Sequence, residues 1–538
     1  MLSAARFWGP HNLTTVVSDD AADATASLLG LRGLTTLLVL CYWAYWYWDR
    51  RAARQADDTF AAKHGCKPVE ATLPYKWPFA LDLLLRQYRA LPSGRLLEFQ
   101  TPFLATAPTI RIDILGEGYI VTDPANVEAI LSTRFDDFGM GCRRPGLYPL
   151  LGEGIFTQDG PPWRHSRELL RRQFARLREA GLSVLRPHAD QLLAAIEREA
   201  SAAPDGVVDL QPHFFEYTLG TTTALLFGEP HSSMPKAERE ALRDNFDYAS
   251  LISAIRLRLA DLAWAYKPAK FRRACQEVRN WAMFFANKAL DYMDEFGEEA
   301  AREKYPFIID LWLEMKDRAL VRDQLLHVLI AGRDTTACLL TWTFFHLVRN
   351  PHLIDRLKAE IATVIPPGAT ELTRHDIQQL SFLRCCLNET LRLYPQLPAN
   401  VRFATRTTFL PRGGGPDGTS PFLLRKGTGV GWSTYHLHRS EALYGPDARV
   451  YRPERWESGE LIRKVGLGAG FVDFHGGPRV CLGKDYALME STYAVVRILQ
   501  TFPNTRLPPG VPNEPVGAER QNLTIVLSST EGAKVLIE

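Results

Sequence analysis

Between Leu28 and Trp48 the chain is apolar at almost every position, with Arg32 the single charge. A run of about 20 such residues is long enough for a helix to cross a hydrocarbon core. Tyr42, Trp43, Tyr45, Trp46, Tyr47 and Trp48 crowd its C-terminal end, and Arg50, Arg51 and Arg54 follow. Aromatic side chains suit the interface and arginines the cytosolic flank. Arg32 stands near the other end, where a long side chain can snorkel to water. Upstream are Asp19, Asp20 and Asp23, with Arg6 the only Lys or Arg. The pattern predicts a single-pass transmembrane anchor over 28–48, a short lumenal N-terminus over 1–27 and a cytosolic body over 49–538. A cleaved signal peptide would need a basic start and small residues at a cleavage site, and neither is present. Asn12-Leu13-Thr14 is a glycosylation triplet on the lumenal side of this arrangement.

Beyond the anchor the pattern changes. Pro68, Pro74 and Pro78 punctuate 49–108, predicting a linker and early helices. Thr109 to Leu115 alternates as a strand, and Tyr119 to Thr122 reads as a second, before a helix ending near Leu131. Helical periodicity then dominates. It covers 302–348 up to the stop at Asn350-Pro351, about Gln379 to Tyr394 up to Pro395, and about Leu482 to Leu499. Residues 396–432 read as short strands around the turn-rich Arg412–Gly418. No internal repeat is visible, so the expected body is mostly α-helical with small β-sheets.

Composition narrows the classes. With 46% hydrophobic and 11% aromatic residues the chain has the material for a large core, which excludes disorder. No long Gly/Ser/Pro linker divides the 538 residues, so one large domain is expected. A net charge of +2 gives no reason for a nucleic-acid partner. Cysteines number 8, too few for a disulfide scaffold, and no Cys-x-x-Cys marks zinc or attached haem.

The strongest chemical signal is Phe474-His-Gly-Gly477-Pro-Arg479-Val-Cys481-Leu-Gly483. One cysteine stands among glycines just before a helix, with an arginine two residues upstream. Glycines let backbone N–H groups approach the sulfur, and a helix N-terminus favours its thiolate. A thiolate so placed can ligate haem iron. The segment resembles the haem-ligand loop of the cytochrome P450 superfamily, and other motifs of that family follow in order. Ala331-Gly332-Arg333-Asp334-Thr335-Thr336 resembles its oxygen-activating helix, where Gly leaves room beside the haem and an acid next to a threonine relays protons toward dioxygen. Glu389-Thr-Leu-Arg392 has the Glu-x-x-Arg pattern, which recurs elsewhere in the chain. Tyr451-Arg-Pro453-Glu-Arg455-Trp456, between it and Cys481, selects this copy. The resemblance implies a buried ionic triad of Glu389, Arg392 and Arg455. Trp163-Arg-His-Ser-Arg167 is similar to the helix whose Trp and Arg hold a haem propionate, and Arg402 and Arg479 are implied as further propionate partners.

The resemblance covers roughly residues 60 to 538 and implies a cytochrome P450-like haem-thiolate fold behind the anchor. Cys481 is then the metal ligand, Asp334 and Thr335 are catalytic, and Trp163, Arg167, Arg402, Phe474, Arg479, Cys481 and Gly483 bind the cofactor. The cofactor is haem b, not attached through its porphyrin, because Ala331 occupies the position where related enzymes carry an esterifying Glu. Phe135-Asp-Asp-Phe138, Gly160-Pro-Pro-Trp163 and the 410–418 insertion resemble fungal alkane and fatty-acid hydroxylases. Asp473 departs from that branch, where a proline is commoner. The implied activity is O2-dependent hydroxylation of an unactivated C–H bond in a lipophilic substrate, with terminal or near-terminal attack on fatty acids or alkanes favoured. Two alternatives stay open: a tailoring oxygenase for a polyketide or terpenoid, and a non-catalytic haem-thiolate ligand-binding protein. No flavin or nicotinamide region fits in the chain, so NADPH-cytochrome P450 reductase is the expected partner, at the endoplasmic reticulum membrane with membrane lipid around the anchor. Arg164, Arg171, Arg172 and Lys484 are a candidate docking face. Leu147, Tyr148, Leu150, Leu151, Ile155 and Phe156 are candidate channel lining, with Arg143 and Arg144 as a grip for a fatty-acid carboxylate.

Overall fold

The computed structural model describes residues 13–114, 116–179, 182–230, 234–366, 372–513 and 516–537. Arg6 and Asn12 lie outside them, and side chains before Thr35, Arg32 included, are not among those described. The chain divides into a unit ending at Cys66 and a unit from Lys67 to Glu538.

The described part of the first unit is one helix, α1 (Leu13–Lys63), and the turn after it. The helix runs on past Trp48 because 49–63 is rich in Ala and Arg, both good helix formers. Gly65 at φ +65° ends it. Leu37, Leu38, Val39, Leu40, Trp43 and Trp48 are exposed along it. Among the described residues no helix is long and apolar enough to cross a membrane. Part of the expected span, 28–34, lies outside the residues whose side chains are described. Tyr and Trp, which fill much of 42–48, prefer the interface to hydrocarbon.

The second unit is mostly helical with small sheets. Its largest sheet uses β1 (Thr109–Asp113), β2 (Glu117–Val121), β3 (Phe138–Gly139), β4 (Asn400–Ala404) and, after the hairpin β5 (Thr408–Gly414) and β6 (Ser420–Leu424), β7 (Gly429–Trp432). The strand order is β1-β2-β7-β4-β3. β1 and β2 are antiparallel with Ile110 opposite Ile120. β2 then runs parallel to β7, and β7 antiparallel to β4 with Arg402 opposite Val430. The turn-rich Arg412–Gly418 closes the β5–β6 hairpin, with a bulge between Leu410 and Gly414.

Six helices position the site: α2 (Gly160–Glu179), α3 (Leu210–Phe227), α4 (Lys236–Leu259), α5 (Arg318–Leu347), α6 (Ser381–Leu393) and α7 (Lys484–Thr501). The periodicity over 302–348 resolves into three helices. Lys316, at φ +51°, breaks the chain, and Asp317 caps α5 by accepting from the backbone N–H groups of Ala319 and Leu320. α5 is buried along nearly its whole length because it threads two hydrophobic cores. Val321 to Ile330 belongs to a core shared with α3 and α4. Ala337 to Val348 belongs to another, shared with α6 and α7. The polar hexapeptide 331–336 falls at the junction.

Candidate active site

The loop before α7 is shaped by its glycines. A Cβ on Gly477, which sits at φ +60°, would run into the Leu131 carbonyl, and one on Gly476 would meet the Gly468 carbonyl at 2.7 Å. The Cys481 backbone N–H donates to the Phe474 carbonyl at 2.9 Å and closes the loop. Phe474 itself is half-buried against the core. Gly483 is not sterically compelled, since a Cβ there would meet nothing nearer than 3.5 Å. What it supplies is its backbone N–H, directed at the Cys481 sulfur. The cysteine is accessible by surface area, yet the protein around it raises its thiol. The Gly483 N–H and then the Arg167 and Lys484 charges oppose that shift, favouring the thiolate. Asp473 explains itself locally: its side chain is buried and lies 3.6 Å from the Lys484 ammonium, bracing the two ends of the loop.

A second group of residues is cationic. Arg402 is buried, donating to the Val401 carbonyl at 2.9 Å and to His475 Nε2 at 3.1 Å. Arg479 donates to Asp159 at 2.8 Å and lies over the buried Trp163 ring at 4.2 Å. Arg167 approaches that ring at 5.9 Å. Arg143 donates to Asn400 at 2.7 Å. Burial holds the guanidinium of Arg402 far below its ordinary range, and the charges of Arg143 and Arg479 add to this. Burial likewise takes Arg143 and Arg479 down to about 10. Among the described residues, Asp159 is the one carboxylate opposing the repulsion felt by Arg402. Three guanidiniums sharing one carboxylate form a site short of negative charge, which fits a group bearing two carboxylates. Arg143, Asp159, Asn400 and His475 were not expected in this cluster.

α5 brings the acid and the threonine. The Thr335 hydroxyl donates to the Ala331 carbonyl at 2.6 Å. Asp334 is buried, and burial pushes its carboxyl up to about 6 against the pull of Arg333, with Asp247 adding to the rise. Arg333 lies 3.2 Å from Asp334 Oδ1 without hydrogen-bond alignment, so that oxygen accepts no hydrogen bond. Gly332 has a packing reason of its own: a Cβ would meet Thr222 Oγ1 of α3 at 2.6 Å. α3 also supplies Thr218, whose hydroxyl donates to the Arg333 carbonyl at 2.8 Å.

Glu389, Arg392 and Arg455 meet in the interior. Arg392 forms a two-pronged pair with Glu389 at 2.8 and 2.9 Å, and neither side chain is exposed. Arg455 Nε donates to Glu389 at 2.9 Å, as do Trp456 Nε1 and the Arg452 backbone N–H. The remaining Arg392 protons go to the carbonyls of His438, Ala448 and Val450. Every lone pair and proton is thus engaged, as a buried ion pair requires.

Other expectations change. Leu147, Leu150 and Leu151 are absorbed into the core with α3 and α4 and Tyr148 is exposed, leaving Ile155 and Phe156, half-buried, from the proposed lining. Arg144 is exposed and paired with Glu153, while Arg143 turns to the cationic cluster. In the candidate docking face each cation has a carboxylate partner: Arg164 with Asp136, Arg171 with Glu168, Arg172 with Glu314 and Lys484 with Asp473.

Comparison with known proteins agrees with this geometry. Residues 74–530 match the family model described as Cytochrome P450. A protein named Cytochrome P450 from Arthroderma benhamiae is 40% identical over 494 residues, covering 89% of this chain and 93% of the relative. Cytochrome P450 52A13 of Debaryomyces hansenii is 39% identical, covering 83% of this chain and 88% of its own length. Cytochrome P450 52A1 of Candida tropicalis is 40% identical, covering 80% of each. The chain belongs to the cytochrome P450 family and is a haem-thiolate monooxygenase acting on lipophilic substrates.

Proposed function

We propose that this chain hydroxylates a long aliphatic substrate, a fatty acid or alkane, at or near its terminal methyl. In this reading Cys481 would hold the iron, Arg402, Arg479 and Arg143 with Trp163 and Arg167 would hold the haem carboxylates, and Phe474 and Gly483 would shape the ligand loop. When bound, haem b supplies the iron at which dioxygen is activated, one oxygen atom going into a C–H bond and the other leaving as water. The observation that carries the catalytic part of the reading is the buried Asp334, whose Oδ1 accepts no hydrogen bond and whose carboxyl is pushed up to about 6, beside Thr335. A group able to hold and release a proton near neutrality serves oxygen chemistry, and a ligand-binding protein has no need of it. The two electrons per turnover come from NADPH through a separate cytochrome P450 reductase. α1, with its exposed leucines and tryptophans, anchors the protein at the endoplasmic reticulum membrane. Lipid surroundings suit an aliphatic substrate. Terminal attack is a matter of positioning, because primary C–H bonds are stronger than secondary ones and the chain must be held end-on.

The test is reconstitution with reductase and NADPH, followed by product mass spectrometry over fatty acids, alkanes and cyclic terpenoid or polyketide candidates. Terminally hydroxylated chains are the expected products; turnover of a cyclic metabolite alone would replace this reading with that of a tailoring oxygenase. Cys481→Ala should lose the red-shifted Soret band of the reduced carbon monoxide complex, and a variant that keeps it is not using this thiol. Because Arg143 belongs to the cationic cluster, Arg143→Ala should weaken haem retention and reduce turnover of acids and equally long alkanes alike.

A further inference from the structure

One guanidinium is shared between the active acid and a second carboxylate. Arg333 Nη1 donates to Asp247 Oδ1 of α4 at 2.5 Å and lies 3.2 Å from Asp334 Oδ1. Only the first contact has hydrogen-bond geometry, and Asp334 Oδ1 and Arg333 Nε make no hydrogen bond to the described residues. The guanidinium is held in that pose. Phe215 of α3 and Phe246 of α4 lie 5.3 and 5.1 Å from it, and Thr218 grips the Arg333 carbonyl. The side chain of Asp247 is 54% exposed, against 4% for Arg333 and 9% for Asp334. The better-hydrated carboxylate therefore takes the hydrogen bond, and the buried one does without.

We propose that Asp247 is a positioning residue of the oxygenation site, holding Arg333 out of full pairing with Asp334 and so favouring the protonated form of that acid. The inference rests on the reading of Asp334 as the proton-holding acid. Among the described residues, the charged and titratable groups acting on or facing Asp334 are Arg333 and Cys338 on its own helix and Asp247 on α4. α3 contributes the neutral Thr218. The signs agree. Removing the charge of Asp247 takes away a negative neighbour and frees Arg333 to donate to Oδ1, and both changes favour the Asp334 carboxylate. A helix-to-helix tie with no further role would change thermal stability and leave the protonation of Asp334 alone.

The test uses the full-length holoprotein with reductase and NADPH, scanning coupling of NADPH to product against pH. The protonated Asp334 carboxyl is followed in parallel by its infrared C=O stretch, identified by its absence in Asp334→Asn. In the wild type, coupling and the stretch should fall together as pH rises through about 6. Asp247→Asn should move both curves to lower pH by roughly 1 unit, so that coupling just above the wild-type midpoint drops by up to about tenfold. The reduced carbon monoxide spectrum should be unchanged. Asp247→Glu should restore the wild-type midpoint, and Asp244→Asn on the same helix should leave it alone. If Asp247→Asn does not hold haem, Asp247→Ala carries the same test. Unmoved curves in the neutral variants, with the stretch still assigned to Asp334, overturn the role of Asp247. A coupling limb that survives in Asp334→Asn overturns the acid reading, and this inference with it.

Discussion

Thr335 is half-exposed on a helix whose neighbours are mostly buried, and its hydroxyl donates backward to the Ala331 carbonyl at 2.6 Å. Such back-bonding leaves the oxygen's lone pairs directed away from the helix, free to accept from water or a ligand. Asp334, one residue earlier, faces Arg333 and the inter-helical interior instead. In the proposed reading the acid stores the proton and the hydroxyl presents an exchangeable one. Thr335→Ala should therefore keep the carbon monoxide spectrum and substrate affinity, while NADPH consumption drains into hydrogen peroxide and coupling falls by about tenfold or more. Peroxide and product assays at matched NADPH consumption decide it. Thr335→Ser, which keeps the hydroxyl, should stay close to wild type.

At the scale of elements, the link between α6 and the segment leading to Cys481 is the ionic knot at Glu389. Arg392 reaches from α6 to the carbonyls at 438, 448 and 450, and Arg455 reaches back to Glu389 and to Asp447. Removing the shared carboxylate leaves Arg392 buried without a counter-charge and Arg455 with Asp447 alone, a loss of roughly 3–5 kcal/mol. Glu389→Ala should give little haem-loaded protein and a lower melting temperature. Normal yield and melting would show that the knot is not holding these elements. The motif Glu-x-x-Arg was legible on one helix, since i and i+3 share a face. The third member was legible only through its family resemblance, because nothing local ties 455 to 389.

For the whole molecule, buried titratable groups set the pH range of stability. Burial pushes His327, His438 and His475 down to about 3 from an ordinary 6.5. His327 Nδ1 accepts from the Phe156 backbone N–H, and His438 Nε2 accepts from that of Val472. A proton on either nitrogen would break a buried hydrogen bond. These depressed groups contribute stability above about 6.5 that is lost progressively as pH falls toward 3. Glu490 on α7 acts in the opposite sense. Its carboxyl, hydrogen-bonded to Thr221, is pushed by burial from 4.5 up to about 8, so its contribution is complete below 4.5 and lost as pH rises through 8. Melting temperature should consequently peak at intermediate pH and fall on both sides. Glu490→Gln, neutral at every pH, should flatten the alkaline side, and calorimetry across pH reads both slopes.

Read alone, the sequence determined what lies within a few residues of itself. The glycines around Cys481, the acid next to a threonine in an apolar run, and the strand pair at 109–121 are all local patterns. Backbone conformation and helical facing follow directly from them. Which side chains from distant segments converge was decided only by tertiary packing. Arg143 left its expected place at a channel mouth because β4 presents Asn400 to it. Leu147, Leu150 and Leu151 went into the core because α3 and α4 cover them. Asp247, on α4, reached Arg333 because two phenylalanines on different helices wedge the guanidinium. Charge sharing and burial are properties of three-dimensional neighbourhoods, and spacing along the chain carries no record of them.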